Sequence, residues 1–286
     1  MTGPQTAPSR VLVASDLDRT LIYSAAAMAL GESVVDPVCV EIYDDRPTSF
    51  IHPDALAGLV ALSAATWFVP VTTRTRAQFG RIVLPGVRVT HAVTTNGGVL
   101  LSDGVPCPDW AAEVARRTAE GASYPEAVRA LAPVWERPWV RTVRDAEELF
   151  LYCVVETADT PAEWYDELLE AVTALGWVLS VQGRKCYAIP PGLTKQAAVA
   201  EVVRRVGADA VAAAGDSWLD AGMLAAADHP VRPAHGELHD QGWSTPGLTV
   251  TTSAGGRAGA EIVDAFRGWT APDGVGWSTV SSDNGP

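Results

Sequence analysis

Arg10-Val-Leu-Val-Ala-Ser-Asp16-Leu-Asp18-Arg-Thr20 opens with an apolar run and closes on two carboxylates. An unbroken Val/Leu stretch suits a strand buried on both faces, as in a parallel sheet. Asp16 and Asp18 stand one residue apart where that strand should end, and Leu17 between them can turn back into the core. In open α/β sheets, ligands bind off the carboxyl ends of the strands. Like charges brought together away from bulk water cost free energy unless a cation or a proton joins them. A strand-end acid pair in an Asx-type turn is one reading; a cation site is the better one.

Working outward, Leu21–Leu30 reads as a short helical turn and Val34–Tyr43 as strand-like, followed by the acidic turn Asp44-Asp45-Arg46-Pro47. This suggests a β-hairpin flap over the acid pair. His52-Pro53-Asp54 opens a helix through Leu62, with Pro53 suited to the first turn. Thr66–Val71 is a buried strand ending in Thr72-Thr73-Arg74; Arg76–Ile82 suggests a helix, and Val87–Thr94 a strand running into Asn96-Gly97-Gly98. Alternating strands and helices predict a parallel, doubly wound sheet.

The order changes over 99–189. Val99–Ser102 with Gly104-Val105 reads as a hairpin, Asp109–Glu120 and Tyr124–Leu131 as helices, Trp139–Val143 and Leu149–Glu156 as adjacent strands. Thr160-Pro161-Ala-Glu163 predicts a capping box for a helix to Leu175, and Trp177–Val181 with Lys185–Ile189 a second hairpin. These describe an inserted α+β unit on an antiparallel sheet, its tryptophans read as packing. Alternation then resumes with helix Thr194–Val206, strand Ala210–Ala214 and a helical turn or two at Leu219–Ala226. The expected organisation is an α/β core from 1–98 and 190–269, an insert at 99–189, and a disordered tail at 270–286.

With 21 basic and 34 acidic residues the net charge is −13, which argues against nucleic acid or an anionic membrane as partner. A small phosphorylated metabolite stays open, because one metal ion and a few local cations override the global field. Cys39, Cys107, Cys153 and Cys186 are scattered and read as free thiols of a reducing cytoplasm. Met1–Ser9 lacks the charged and apolar regions of a signal peptide, and no apolar run reaches the roughly 18 residues of a membrane span. Oligomeric state is not legible.

Four chemistry-bearing pieces fall at element ends: Asp16 with Asp18, Thr72 with Arg74, Lys195 at a helix start, and Asp216 with Asp220 after a small-residue strand. Phosphoryl transfer needs such a kit: a carboxylate to attack, a group to protonate the leaving oxygen, a hard cation, and a lysine and hydroxyl for developing charge. Mg²⁺ suits carboxylate oxygens and water.

Five motifs in order resemble the haloacid-dehalogenase (HAD) superfamily, in its Cof-like and sucrose-phosphatase-like branch. They are Asp16-Leu-Asp18-Arg-Thr20, Val71-Thr72-Thr73-Arg74, Asn96-Gly97-Gly98, Pro191-Gly-Leu-Thr-Lys195 and Gly215-Asp216-Ser-Trp-Leu-Asp220-Ala-Gly-Met-Leu224. Thr73 replaces a usual Gly and Leu219 a usual Asn, leaving loop shape and the surroundings of the metal site open. The resemblance implies a Rossmann-like core with a C2-type cap and a Mg²⁺-dependent phosphatase acting on a small phosphomonoester, sugar phosphates first.

By the same resemblance Asp16 attacks phosphorus and carries an aspartyl-phosphate; Asp18 is acid, then base. Asp16, the Asp18 backbone carbonyl and Asp216 hold Mg²⁺ with Asp220 nearby, and Thr72 and Lys195 bind the phosphoryl group. Arg74 reads either as a salt-bridge partner or as a substrate contact. Asn96 either binds substrate or turns the chain into the cap, and Arg184 and Lys185 are cap candidates for substrate contact. A phosphomutase-like transferase and a non-catalytic binding module are the rivals. His235-Gly-Glu-Leu-His239 has zinc-like spacing, but Pro233 and Gly236 argue for a loop.

Overall fold

The Val/Leu run forms β1 (Val11–Ser15), buried throughout, in a computed structural model that describes residues 10–31 and 33–270. A short β2 (Ile22–Tyr23) and α1 (Ala25–Met28) lead to a hairpin of β3 (Val38–Tyr43) and β4 (Arg46–Ile51). Asp44 and Asp45 at its tip have φ of 49° and 57°, the paired positive values that match the twist of a two-residue hairpin turn. Then come α2 (Pro53–Ala65), β5 (Trp67–Pro70), α3 (Arg76–Phe79), β6 (His91–Thr94), β7 (Val99–Ser102) and β8 (Val105–Pro106). The hairpin β7–β8 pairs antiparallel with β6.

Next are α4 (Pro108–Arg117), α5 (Tyr124–Trp135), β9 (Val140–Ala146), β10 (Phe150–Val155), α6 (Ala162–Ala174), β11 (Val178–Gln182) and β12 (Lys185–Ile189). The chain closes with α7 (Lys195–Val206), β13 (Ala210–Ala214), α8 (Trp218–Ala225), β14 (His229–Arg232), α9 (Glu237–Asp240), β15 (Thr249–Val250) and α10 (Gly255–Thr270).

Among the described residues, a sheet runs β15-β14-β13-β1-β5, all parallel, and a bridge from Val71 to Val93 brings β6 beside it. Side chains on one face of β1 and β5, Leu12, Ala14 and Val69, pack with Val199 and Val202 of α7 and Leu224 of α8. Those on the other face, Val11, Val13 and Phe68, pack with Leu59 of α2 and Ile262, Val263 and Phe266 of α10. Period-two alternation of apolar side chains thus gives helix layers on both faces. All five strands point the same way, so Asp16, Thr72 and Asp216 leave from one edge.

The second sheet is antiparallel, β11-β12-β10-β9. Leu151, Cys153, Cys186 and Ala188 face α5 and α6; Phe150, Tyr152, Tyr187 and Ile189 face the parallel core. This is the α/β Rossmann-like core with an inserted α+β cap expected from the sequence. The four cysteines are free thiols. No helix of the described residues is long and apolar enough to cross a membrane.

Local readings needed correction in places. Thr160 does not cap α6: its hydroxyl donates to the Glu156 carbonyl at 2.8 Å, and Pro161 is the N-cap residue. The helix expected over Arg76–Ile82 closes at Phe79, and that at Tyr124–Leu131 runs on to Trp135 with Pro133 inside its last turn. The strand expected over Val87–Thr94 pairs only from His91. Thr270 ends α10, and the remainder of the expected tail lies outside the described residues, as does Met1–Ser9.

Candidate active site

Asp16 follows β1 directly, its N–H bonded to the Ala214 carbonyl of β13 at 2.9 Å. Lys195 Nζ lies 2.6 Å from Asp16 Oδ1 and 2.6 Å from Asp220 Oδ1, while the Thr20 hydroxyl donates to Asp16 Oδ2 at 3.2 Å. Burial pushes the Asp16 carboxyl up to about 7, against the pull of Lys195 and with the push of Asp220 and Asp18. Asp216, at the end of β13, is likewise raised by burial and then by Asp16 and Asp220. The raised proton affinity of Asp16 and Asp216 shows three carboxyl groups crowded around one buried ammonium, more than it can hold ionised.

Oxygens of Asp16, Asp216 and Asp220 lie within 4.8 Å of one another, all three residues being buried. The turn after Asp16 adds a further acceptor: the N–H groups of Thr20, Leu21 and Ile22 converge on the Leu17 carbonyl, leaving that of Asp18 outside the turn's hydrogen bonds. A hard divalent cation fits this donor set, which is all oxygen and short of positive charge. Asp220 is the most committed of the carboxylates. Its Oδ2 accepts from Ser217 N and Oγ at 3.0 and 2.8 Å, capping α8, while Oδ1 faces Lys195.

Asp18 points away from this cluster. Arg74 grips it bidentately, Nε to Oδ2 at 2.7 Å and Nη2 to Oδ1 at 2.8 Å. Desolvation pushes its carboxyl up, but the hydrogen bonds and charge of Arg74, aided by Lys185, outweigh it and hold Asp18 below its ordinary range. Lys185, at the head of β12 in the cap, is thus brought to the site, whereas among the described residues no ion pair reaches Arg184. Thr72 is fully buried, its Oγ1 accepting from Arg74 N at 3.1 Å, so its hydroxyl proton remains to donate. Asn96 donates from Nδ2 to the Leu193 carbonyl at 2.9 Å and keeps a buried, unpartnered Oδ1. It staples the exit from the core to the returning segment.

Several contributors were not read from the sequence. Arg19 Nε lies 3.4 Å from Asp216 Oδ2, and His235 Nε2 bonds the Arg19 carbonyl at 2.7 Å while its Nδ1 accepts from Gly255 N. His235 thus braces the Asp18–Arg19 turn, and His239 pairs with Arg232 instead. Gly236, at φ 87°, packs where a Cβ would stand 2.7 Å from Asp216 Oδ2. Gln78 Nε2 reaches Tyr152 Oη of the cap at 3.1 Å.

No protein-family model and no curated protein matches the sequence. Solved structures do. The sucrose-phosphatase of Synechocystis sp. PCC6803 superposes with a TM-score of 0.57 at 13% identity, over 90% of this chain and 98% of that one. The HAD subclass IIB sugar phosphatase BT4131 gives 0.56 at 14%, over 85% and 94%. BT1666 of Bacteroides thetaiotaomicron, a HAD phosphatase, gives 0.52 at 14%, over 96% and 99%. The chain has the HAD fold. Both the parallel core and the cap take part in that likeness, since the superpositions span nearly the whole chain.

Proposed function

We propose that this chain is a Mg²⁺-dependent phosphatase that hydrolyses a small phosphomonoester through an aspartyl-phosphate on Asp16. The observation that carries this is the Asp16 carboxylate itself, buried at a strand end between Lys195 and Thr20, with Asp216 beside it and Asp18 two residues on. On this reading residues 1–98 and 190–269 are the catalytic core and 99–189 the cap. The four free cysteines and the substrate class go with a cytoplasmic location.

Asp16, the Asp18 carbonyl and Asp216 would hold Mg²⁺, with Asp220 nearby. When bound, the ion neutralises phosphoryl oxygens and orients the ester for in-line attack. The chain's own groups do the rest. Lys195 and the Thr72 hydroxyl take the charge that develops on the phosphoryl oxygens. Asp16 attacks phosphorus and the leaving oxygen departs with a proton from Asp18. That proton is loaded as substrate binds: an incoming anion beside Arg74 competes for its hydrogen bonds and raises the proton affinity of Asp18. Sugar phosphates are the first substrate class, because the sucrose-phosphatase and the sugar phosphatase that share the fold act on them. The cap face carries Tyr152, Tyr187 and Lys185, a mixed apolar and polar roof suited to a hydroxylated metabolite.

The test is a panel of phosphorylated metabolites with Mg²⁺, scored by released phosphate and kcat/KM, beside the same panel in EDTA. Metal-dependent hydrolysis of at least one ester supports the reading. Transfer to a second hydroxyl without free phosphate would redirect it to a phosphomutase, and no turnover at all would end it.

A further inference from the structure

The flap hairpin carries a buried acid that no catalytic role yet uses. Glu41 on β3 is 4% exposed. Its Oε1 accepts from Arg74 Nη1 at 2.9 Å and Arg81 Nε at 3.0 Å, and its Oε2 from the Ser49 hydroxyl at 2.7 Å. Arg74 in turn donates from Nε and Nη2 to Asp18, with a longer Nη2 contact of 3.4 Å to the Ser49 hydroxyl. A continuous chain of charged hydrogen bonds thus runs from the flap to the acid beside the nucleophile.

The backbone is bent to make this possible. Val40 and Glu41 are neighbours on a strand, so regular pleating would send them to opposite faces; both are buried. The pairing of β3 with β4 skips Val40, sets Glu41 opposite Ser49, then skips Thr48 and returns to its earlier register. An extra residue on one strand, compensated by one on the other, re-aims a single side chain and leaves the rest of the hairpin in place. The side chain re-aimed is Glu41, and its target is Arg74. Burying a carboxylate is costly unless it is paired, so the fold holds this acid inside only with both guanidiniums in position.

We propose that Glu41 is a positioning residue: through Arg74 it fixes the Asp18 carboxylate for the water-attack half of phosphomonoester hydrolysis. This rests on the phosphatase reading above. A carboxyl group whose two oxygens both accept from one guanidinium is held ionised and in one orientation, the form from which a general base must start. In the second half-reaction Asp18 takes a proton from water, and the water oxygen bonds to phosphorus. The P–O bond to Asp16 breaks with its electron pair returning to the Asp16 carboxylate, and inorganic phosphate leaves. Asp18 then passes its proton to phosphate or solvent.

The experiment compares wild type and Glu41→Gln on p-nitrophenyl phosphate, whose leaving phenolate needs no proton, with Mg²⁺ present. For this ester kcat/KM reports formation of the aspartyl-phosphate, and kcat includes its hydrolysis. The expected result is a kcat lower by about tenfold or more with kcat/KM held within about threefold, since a well-placed general base contributes 10²–10⁴-fold. A burst of nitrophenol near one equivalent of enzyme should precede the slow steady state. Equal falls in kcat and kcat/KM, or no change in either, would overturn the proposal.

Should Glu41→Gln fail to fold, Ser49→Ala removes the hold on Oε2 and the longer 3.4 Å contact that the same hydroxyl accepts from Arg74 Nη2, leaving both guanidiniums on Oε1. A selective fall in its kcat supports the proposal, and an unchanged or proportionate profile overturns it. A wild type inert towards the ester in Mg²⁺, followed by no turnover across the metabolite panel, would remove the phosphatase reading and this inference with it.

Discussion

The ammonium of Lys195 lies 2.6 Å from Oδ1 of Asp16, with 1% of the lysine side chain exposed. Such a buried pair is sensitive to loss of one partner far more than to loss of both. Lys195→Met keeps much of the volume and removes the charge, leaving Asp16 and Asp220 facing each other. We expect a stability loss of about 3–5 kcal/mol and a fall in kcat/KM of about 10²-fold or more. Urea unfolding and phosphate release measure the two, and wild-type values in both would show that the lysine is a bystander.

Asp16→Asn separates chemistry from fold. The amide oxygen can still accept from Lys195, but it cannot attack phosphorus, so turnover should vanish into background. Burial already raises the Asp16 carboxyl to about 7, so the charged form is disfavoured in the folded, metal-free chain. Thermal melting should therefore hold or rise. Retained kcat would remove Asp16 as nucleophile.

That raised value also sets the direction of a pH effect. Between the ordinary carboxyl value of 3.8 and about 7 the folded state keeps a proton on Asp16 that the unfolded chain has lost. Stability in EDTA should therefore fall, through this group, as pH rises across that window and level off above it. Asp216, also raised by burial, acts in the same direction. A bound divalent ion needs both carboxylates ionised, so the melting shift produced by Mg²⁺ should grow from pH 5 to pH 8. Scanning calorimetry with and without 5 mM Mg²⁺, a trial level of order millimolar as weak oxygen sites require, reads it directly. A shift that shrinks with pH would contradict the metal assignment. Activity should stop in EDTA and return with Mg²⁺.

The groups that were legible in the sequence are those set by local pattern. A Val/Leu run ending in Asp16-Leu-Asp18 is readable because burial on both faces needs no long-range information. The same holds for Lys195 at a helix start and Asp216 after Ala210–Ala214. What stayed hidden depends on register or on chain segments far apart in sequence. Glu41 is invisible because alternation sends it to the face opposite Val40, and only the skipped residues in β3–β4 pairing reverse that. Arg74 left two readings open because its partner Asp18 lies 56 residues away. The bond from Gln78 to Tyr152 is hidden for the same reason, since it needs the cap to be in place. Thr160 misled because its hydroxyl donates back to the Glu156 carbonyl instead of accepting from an amide at the start of α6.

Gly236 offers a test of the metal site that leaves every charged group intact. Its φ of 87° disfavours any side chain, and an added Cβ would meet Asp216 at Oδ2, O and Cβ at 2.7, 2.8 and 2.9 Å. Two of those atoms belong to the Asp216 backbone and its Cβ, which cannot swing aside, so Gly236→Ala must move the aspartate. The expected outcome is a rise of about tenfold or more in the Mg²⁺ concentration for half-maximal activity, the usual scale for disturbing a ligand's supports, with kcat at saturating metal reduced much less. Gly183→Ala is the matched control. It shares a positive φ, 56°, at the cap hairpin, with nothing within 4 Å of its added Cβ. It should cost about 1 kcal/mol of stability from backbone strain and leave the Mg²⁺ titration unmoved. If both alanines shift the titration alike, the effect is general loosening, and Asp216 loses its place among the ligands.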